Sequence, residues 1–384
     1  MWAVLQGFVS RMSMDPALAR RLFTEGGVLI VEEMPVGTEI GIDCNSWRTA
    51  ERFRGVKMIP TGLHYIYYSA VDRHGQTAPR TGFFCVMKKR QIIVKRWNRT
   101  TEDLDDVVKS EEEIERLRAG LKDIDKNLGA YPYESLKKWV GLTQHISQSV
   151  LESLEPVSKN ICSRSQIESE ETRSVRDEGT LTSECGSSLL PTAHASSSSS
   201  VQSDVTVQES QLRLSRVPDR KFPADATPEE VTRHSMDHSY ALSCMMRDYY
   251  GNDIKNLLGE LQFCFVCFLI GHVYSAFEQW KCLIHLLCSC DEAITTNPDL
   301  FMKLINTLHF QINEIPEDFF VDIVSRTNFL TTTLQMFFST LEESTTVDSQ
   351  LRKRGLQFRK HLTKKFKWDF TQPPDDCQPV IVDV

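Results

Sequence analysis

Between Val28 and Trp97 the apolar positions come in short runs set off by turn residues: Val28–Val31, Thr38–Asp43, Phe53–Pro60, Leu63–Tyr68, Gly82–Met87 and Ile92–Trp97. β-Branched and aromatic side chains at this spacing predict the strands of an antiparallel sandwich or barrel-like sheet. Ahead of them, Asp15-Pro16 opens a short helix that Gly26-Gly27 stops, with Asp15 as the cap and Pro16 in the first turn. Behind them the period lengthens. Ser110 and Glu113 form a capping box before Ile114, Leu117, Leu121, Ile124 and Leu128. Tyr131-Pro132-Tyr133 makes a turn, and a further helix is expected over Leu136–Leu151, carrying Trp139, Val140 and Ile146.

From about Pro156 to Arg220 the periodicity stops. Serine dominates, uninterrupted from Ser196 to Ser200, and such a stretch buries too little surface to offset its ordering entropy. It is read as a flexible linker, its serines open to phosphorylation or simply spacer. Thr227-Pro228-Glu229-Glu230 restarts helical order with a cap, a first-turn proline and a glutamate at the third position. Helices are then expected over Thr227–Tyr250, Asp253–Ile270, Tyr274–Cys288, Leu300–Ile312, Pro316–Val324, Leu330–Leu341 and Val347–Trp368. The middle of this series is Phe263–Ile270, apolar without a break. A helix with no polar face is buried on every side, and this run is too short to span a bilayer, which takes about 20 apolar residues. Gly271-His272 ends it, and Val273, Phe277, Trp280, Ile284 and Leu287 then mark one stripe of a partner helix.

The expected class is α+β. A β-rich, sandwich-like N-terminal domain with helices covers 14–155, a serine-rich linker 156–220, an all-α superhelical C-terminal domain 221–370 and a strand-prone tail 371–384. Composition refines this picture in two ways. A net charge of -8 argues against generic nucleic-acid binding. The 11 cysteines are scattered, odd in number and often placed within apolar helical runs, as reduced core thiols of a cytosolic or nuclear protein are. The N-terminus lacks a basic region and a cleavage site for secretion, so a soluble intracellular protein is expected.

Candidate chemistry changes little. Cys264-x-x-Cys267 with Cys282 and Cys288 imitates a zinc spacing, but the first pair sits in a continuous helical run and reads as core filling. His272, His285 and His309 have no carboxylate at fixed spacing, and no nucleophile elbow, phosphate loop or metalloprotease signature occurs. No catalytic residue, cofactor or metal ligand is expected. Leu351, Phe358, Leu362 and Phe366 would bury one stripe of a helix carrying eight Lys/Arg between Leu351 and Trp368. Its charge fits a solvated face as well as RNA or an acidic partner. In the tail, Pro379–Val384 alternates in a way that suits adding a strand, through Val380, Ile381 and Val382, to a partner's sheet edge; a frayed terminus is the other reading. Trp47, Arg54 and Lys57 combine aromatic and cationic character beside turns, as interface anchors do, and fit a β-turn core as well.

Several longer words point to one family. Met34-Pro-x-Gly-Thr-Glu39, Gly41-Ile-Asp-x-Asn-Ser-Trp47, Phe53-Arg-Gly-Val-Lys-Met-Ile-Pro60, Pro79-Arg-x-Gly-Phe-Phe84 and Tyr131-Pro-Tyr133 resemble the N-terminal signatures of the Aar-two splicing-factor family. Ala226-Thr-Pro228, His234-Ser-Met-Asp237, Leu258-Gly-Glu-Leu-Gln-Phe263, Glu314-Ile-Pro316, Asp318-Phe-Phe-Val-Asp-Ile-Val324 and His361-Leu-Thr-Lys-Lys-Phe366 continue the resemblance. Met1–Ser13 and the serine-rich stretch depart from it. The resemblance implies a β-rich domain joined to a VHS-like helical domain in a non-enzymatic assembly factor of the U-five small nuclear ribonucleoprotein. Such factors are expected in cytoplasm and nucleus. The implied partners are the Prp-eight scaffold, bound at its RNase H-like and Jab/MPN domains, and U-five components. Membrane contact is not implied, and direct RNA contact is left open. Occupancy of the scaffold would keep the Brr-two helicase from joining early, with phosphorylation triggering release. Two domains on a flexible linker would grip two sites with avidity.

Overall fold

In the computed structural model, residues 15–71, 75–163, 211–315 and 329–370 are described. They divide into two compact units, one built from residues up to Ala78 and from Phe83–Ser135, the other from Pro79–Gly82 and from Leu136 onward.

In the first unit Asp15 caps α1 (Pro16–Glu25) by accepting from the Ala17 amide, as its sequence predicts. Strands β1 (Gly27–Glu32), β4 (Gly55–Ile59), β7 (Ile92–Asn98), β8 (Asp103–Asp106) and β9 (Leu128–Ala130) form one sheet in the order β8-β7-β1-β4-β9. Strands β2 (Glu39–Ile42), β3 (Asn45–Arg48), β5 (Gly62–Ser69) and β6 (Thr81–Met87) form the second, in the order β6-β5-β2-β3. The first sheet is mixed rather than antiparallel: β1 runs parallel to β7, and β4 parallel to β9. Parallel neighbours need a long crossover. Here the chain builds most of the second sheet between β1 and β7, and α2 (Glu111–Ile124) lies between β4 and β9.

β1 reads Gly-Val-Leu-Ile-Val-Glu because both its faces are covered. Val28 and Ile30, with Ile92, Val94 and Leu128, meet the stripe Ile114, Leu117, Leu121 and Ile124 of α2. The capping box of Ser110 and Glu113 starts this helix as expected. Leu128, assigned by periodicity to the same helix, instead opens β9. Between the sheets Tyr68 meets Trp97 edge to face, ring centroids 5.8 Å apart, and the Lys95 ammonium lies 4.2 Å from the Phe83 ring centre. Asp43, wholly buried and left-handed at φ 55°, ties the end of β2 to the rest. It accepts from the Tyr65 amide (2.9 Å), the Tyr131 hydroxyl (2.6 Å) and His64 Nδ1 (2.7 Å). His64 Nε2 lies 2.8 Å from the Pro60 carbonyl oxygen.

The second unit holds α3 (Leu136–Thr143), α4 (Gln148–Leu154), the short β10 (Ile161–Cys162), α5 (Pro228–Met236), α6 (Ser239–Asp248) and α7 (Ile254–Leu269). It continues through α8 (Tyr274–Cys288), α9 (Asp291–Thr296), α10 (Pro298–Glu314), α11 (Phe329–Glu343) and α12 (Ser349–Phe366). Two expected helices are each broken in two. Ser147 caps α4 by accepting from the Val150 amide, which ends the run expected over Leu136–Leu151. Asp237 accepts from the Ser239 amide and hydroxyl, dividing Thr227–Tyr250. The helix expected over Pro316–Val324 lies outside the described residues.

The core of this unit is α7, buried at every residue from Leu257 to Cys267. Full burial obliges its two polar side chains to find partners. Gln262 accepts from the His145 amide (2.7 Å) and donates to the Gly141 carbonyl (3.2 Å), fastening α3 and its following turn. Glu260 is served from elsewhere, as described below. From the other side, Gln311 of α10 accepts from Trp280 of α8 (2.9 Å) and donates to the Leu261 carbonyl (3.3 Å).

The serine-rich stretch is expected over 156–220. The described ends both lie in the second unit: Ile161 and Cys162 pair with Gly82 and Thr81. On the far side the Arg213 amide donates to the Leu154 carbonyl (3.0 Å). The unit boundary falls near Ser135, because α3 and α4 pack on α7 through contacts that lie far apart in sequence.

Candidate partner-binding surfaces

The residues singled out in the β-rich region lie on different sheets. Trp47 is 40% exposed on β3, an edge strand of the second sheet, opposite Ile40 of β2. Arg54 precedes β4 in the first sheet with its side chain in solvent; its amide donates to the Asn127 carbonyl and its carbonyl accepts from Val31. Lys57 is held inside the unit, its ammonium 2.6 Å from the Asp125 carboxylate and 3.0 Å from the Asp125 carbonyl. Val380, Ile381 and Val382 lie outside the described residues.

The basic helix α12 buries Leu351, Phe358 and Leu362 and half-buries Phe366. Many of its cations serve neighbouring elements. Arg352 donates to the carbonyls of Leu341 and Ser344, closing the C-terminal end of α11. Arg354 donates to Asn306, Arg359 to Glu342 and Phe370, and Lys365 to Asn313. Lys353, Lys360 and Lys364 remain as an exposed basic line.

The cysteines of α7 are core groups. Cys264 and Cys267 are fully buried, and desolvation drives both thiols well above their ordinary range. Among the described residues no group of three or more His, Cys, Asp or Glu is placed to hold a metal ion. No helix among them is long and apolar enough to cross a membrane. Of the three histidines, His309 packs against His361 with ring centroids 4.7 Å apart. Burial, then that neighbour, hold its imidazole below the usual value. Asp43, His64 and Tyr131 are all 2% exposed or less, so the trio braces the fold and meets no solute.

Sequence reasoning missed the polar cluster around Glu260. Its Oε1 accepts from the Ser215 amide (3.0 Å), the Ser215 hydroxyl (2.8 Å) and the Gln279 side chain (2.9 Å). Its Oε2 accepts from the Tyr250 hydroxyl (2.9 Å). The acidic residue inside an apolar run was the available signal, since a buried carboxylate needs donors. Nearby, Arg213 donates to the carbonyls of Glu155 and Glu152, so the chain rejoins the helices as a strap across α4 and α7.

Glu155 itself is 8% exposed, and burial raises its carboxyl to about 7 against the opposing pull of Lys159 and Arg213. A carboxyl that holds its proton more tightly when folded favours folding at low pH and loses that contribution as pH rises from the unfolded value through about 7. Glu155→Gln is therefore expected to leave the melting temperature unchanged at pH 4. At pH 8 it should raise stability by on the order of 1–3 kcal/mol. Thermal melts of both proteins across that pH range check this, and a pH-independent difference would clear the carboxyl.

Comparison with known proteins covers both units. The profile of the AAR2 N-terminal domain matches residues 25–156, and that of the AAR2 C-terminal repeat region matches residues 214–371. The chain is 45% identical to the mouse protein AAR2 homolog and 44% to the human one, in each case over 98% of both chains. It is 22% identical to the A1 cistron-splicing factor AAR2 of Saccharomyces cerevisiae, over 74% of this chain and 76% of the yeast one.

Proposed function

Since the chain belongs to the AAR2 family, we propose that it is a splicing assembly factor that works by binding. In this reading it occupies a Prp-eight-like scaffold at its RNase H-like and Jab/MPN domains during U-five particle assembly. While bound it keeps a Brr-two-like helicase from joining early, and it serves in both cytoplasm and nucleus. The observation that carries the reading is the likeness along nearly the whole chain to AAR2 homologs, together with the splicing role in the name of the yeast relative.

The tail residues Val380, Ile381 and Val382 would add a strand to a sheet edge of the scaffold, where backbone hydrogen bonds supply affinity with little demand on sequence. Exposed Trp47 and Arg54 are candidates for further contacts. The alternative, RNA binding through α12, is weakened because Arg352, Arg354, Arg359 and Lys365 are engaged within the unit.

Pull-down of an RNase H-like plus Jab/MPN fragment by the full chain, beside a variant lacking Pro379–Val384, tests this. Capture by the full chain should persist between about 50 mM and 200 mM salt, whereas an RNA interface making several phosphate contacts would weaken by orders of magnitude. The tail deletion should reduce capture and leave the melting temperature unchanged. Undiminished capture would remove the tail from the interface, and absence of capture at both salts would refute the scaffold reading.

A further inference from the structure

We propose that the cleft between α1 and α2, on the outer face of the first sheet, binds an acidic linear peptide through an aliphatic or aromatic anchor. The helix α2 lies against that sheet face. Its apolar stripe faces the sheet, yet none of its residues is fully buried, so the stripe itself stays partly exposed, Leu121 where it lines the gap. On the other side α1 is seated tightly over β4. A Cβ at Gly26 would come within 2.4 Å of the Leu22 carbonyl oxygen and 3.0 Å of the Met58 backbone. The gap between the two helices is a cleft of about 240 Å³.

The floor and walls of the cleft are apolar, made by Val28, Ile92 and Leu128 of the sheet with Leu121 and Phe23 from the helices. Phe23 is 56% exposed at its edge. Pockets for cofactors and drug-sized ligands run to about 300–1,000 Å³, so this one suits a side chain or two of a peptide rather than a small molecule. The rim is cationic. Lys57 pairs with Asp125 and Arg118 with Glu115, which leaves Arg90 and Lys122 as the exposed cations lining the opening. Arg118 also donates to the Arg90 carbonyl. An apolar floor bordered by cations matches an anchor side chain flanked by carboxylates. Phosphate backbones need the charge and not the floor, which favours peptide over nucleic acid. The proposal stands in the β-rich unit and does not depend on the scaffold reading above.

The test is selection of a random-peptide phage library on the full-length chain, followed by binding of the enriched peptides to three variants. Arg118→Glu and Lys122→Glu reverse the rim, and Phe23→Ala removes an exposed apolar wall; circular dichroism verifies that each is folded. Enriched peptides should carry an apolar anchor among Asp and Glu. Their affinity should fall about tenfold or more on each charge reversal, weaken in Phe23→Ala, and decline with salt without vanishing. Selection of peptides with no acidic bias, or of peptides that bind all three variants as they bind the parent chain, overturns the proposal. So does an oligouridylate that binds the chain, loses binding on both charge reversals and ignores Phe23→Ala while no peptide is enriched.

Discussion

Glu260→Ala is expected to destabilise the helical unit by about 3–5 kcal/mol, the range for breaking a buried charged network from one side. The carboxylate accepts from the Ser215 amide and hydroxyl, the Tyr250 hydroxyl and the Gln279 amide. Truncation leaves these donors facing one another and opens a cavity in a helix that has no solvent face. Burial and the adjacent Glu260 both raise Tyr250, so its phenol stays a donor with no alternative charge state to relieve the loss. Hydrogen exchange on the full chain gives the sharpest reading. Peptides spanning residues 211–216 and α7 should exchange two to three orders of magnitude faster, while those from β1 and β7 remain as protected as before. Unchanged protection at Ser215 would show that the strap is held by Arg213 alone.

The β-rich unit has its own sensitive point at Gly55. This residue sits at φ +137°, and a Cβ there would lie 1.9 Å from the Leu29 carbonyl oxygen of the neighbouring strand. Gly62 has nearly the same conformation, φ +132°, with nothing within 4 Å of an added Cβ. The pair separates backbone strain from collision. Gly62→Ala should cost about 1–3 kcal/mol through conformation alone. Gly55→Ala carries the same strain plus overpacking of about 1–3 kcal/mol, because β1 and β4 cannot keep their register around the new methyl. Denaturant unfolding of the two variants beside the parent chain measures the difference. Equal losses would mean that the strands part at little cost and that the close approach has no energetic weight.

Local instructions were the ones legible in the chain. Asp15-Pro16, the Ser110 and Glu113 box and the Thr227 and Glu230 box each start the helix they announce, because a cap acts within one turn. The strand runs are equally plain, and so is the burial of Leu257–Cys267. Partner choice was not. Nothing local says that β1 lies parallel to β7 or that Leu128 leaves the helix for a strand. Lys57 has a partner within its unit that no local signal announces, because Asp125 is 68 residues away in sequence. Arg213 and Ser215 looked like linker for the same reason: their polar character suits solvent, and only the fold reveals acceptors at Leu154, Glu155 and Glu260. The breaks at Ser147 and Asp237 lay between these cases. Ser147 is the N-cap of α4 and Asp237 the C-cap of α5, and apolar periodicity running past them outweighs both signals.

The strap at Arg213–Ser215 also bears on what a cut would do. The backbone passes between the two units near Ala78, Gly82 and Ser135, and all three passages lie upstream of the serine-rich stretch. Protease cleavage anywhere within 164–210 therefore nicks the helical unit and leaves every covalent passage between units intact. The N-terminal piece would keep α3 and α4, still bound to α7 through Gln262 and its partners. Both pieces should then travel together through a column as one particle, parting only when the unit itself is unfolded.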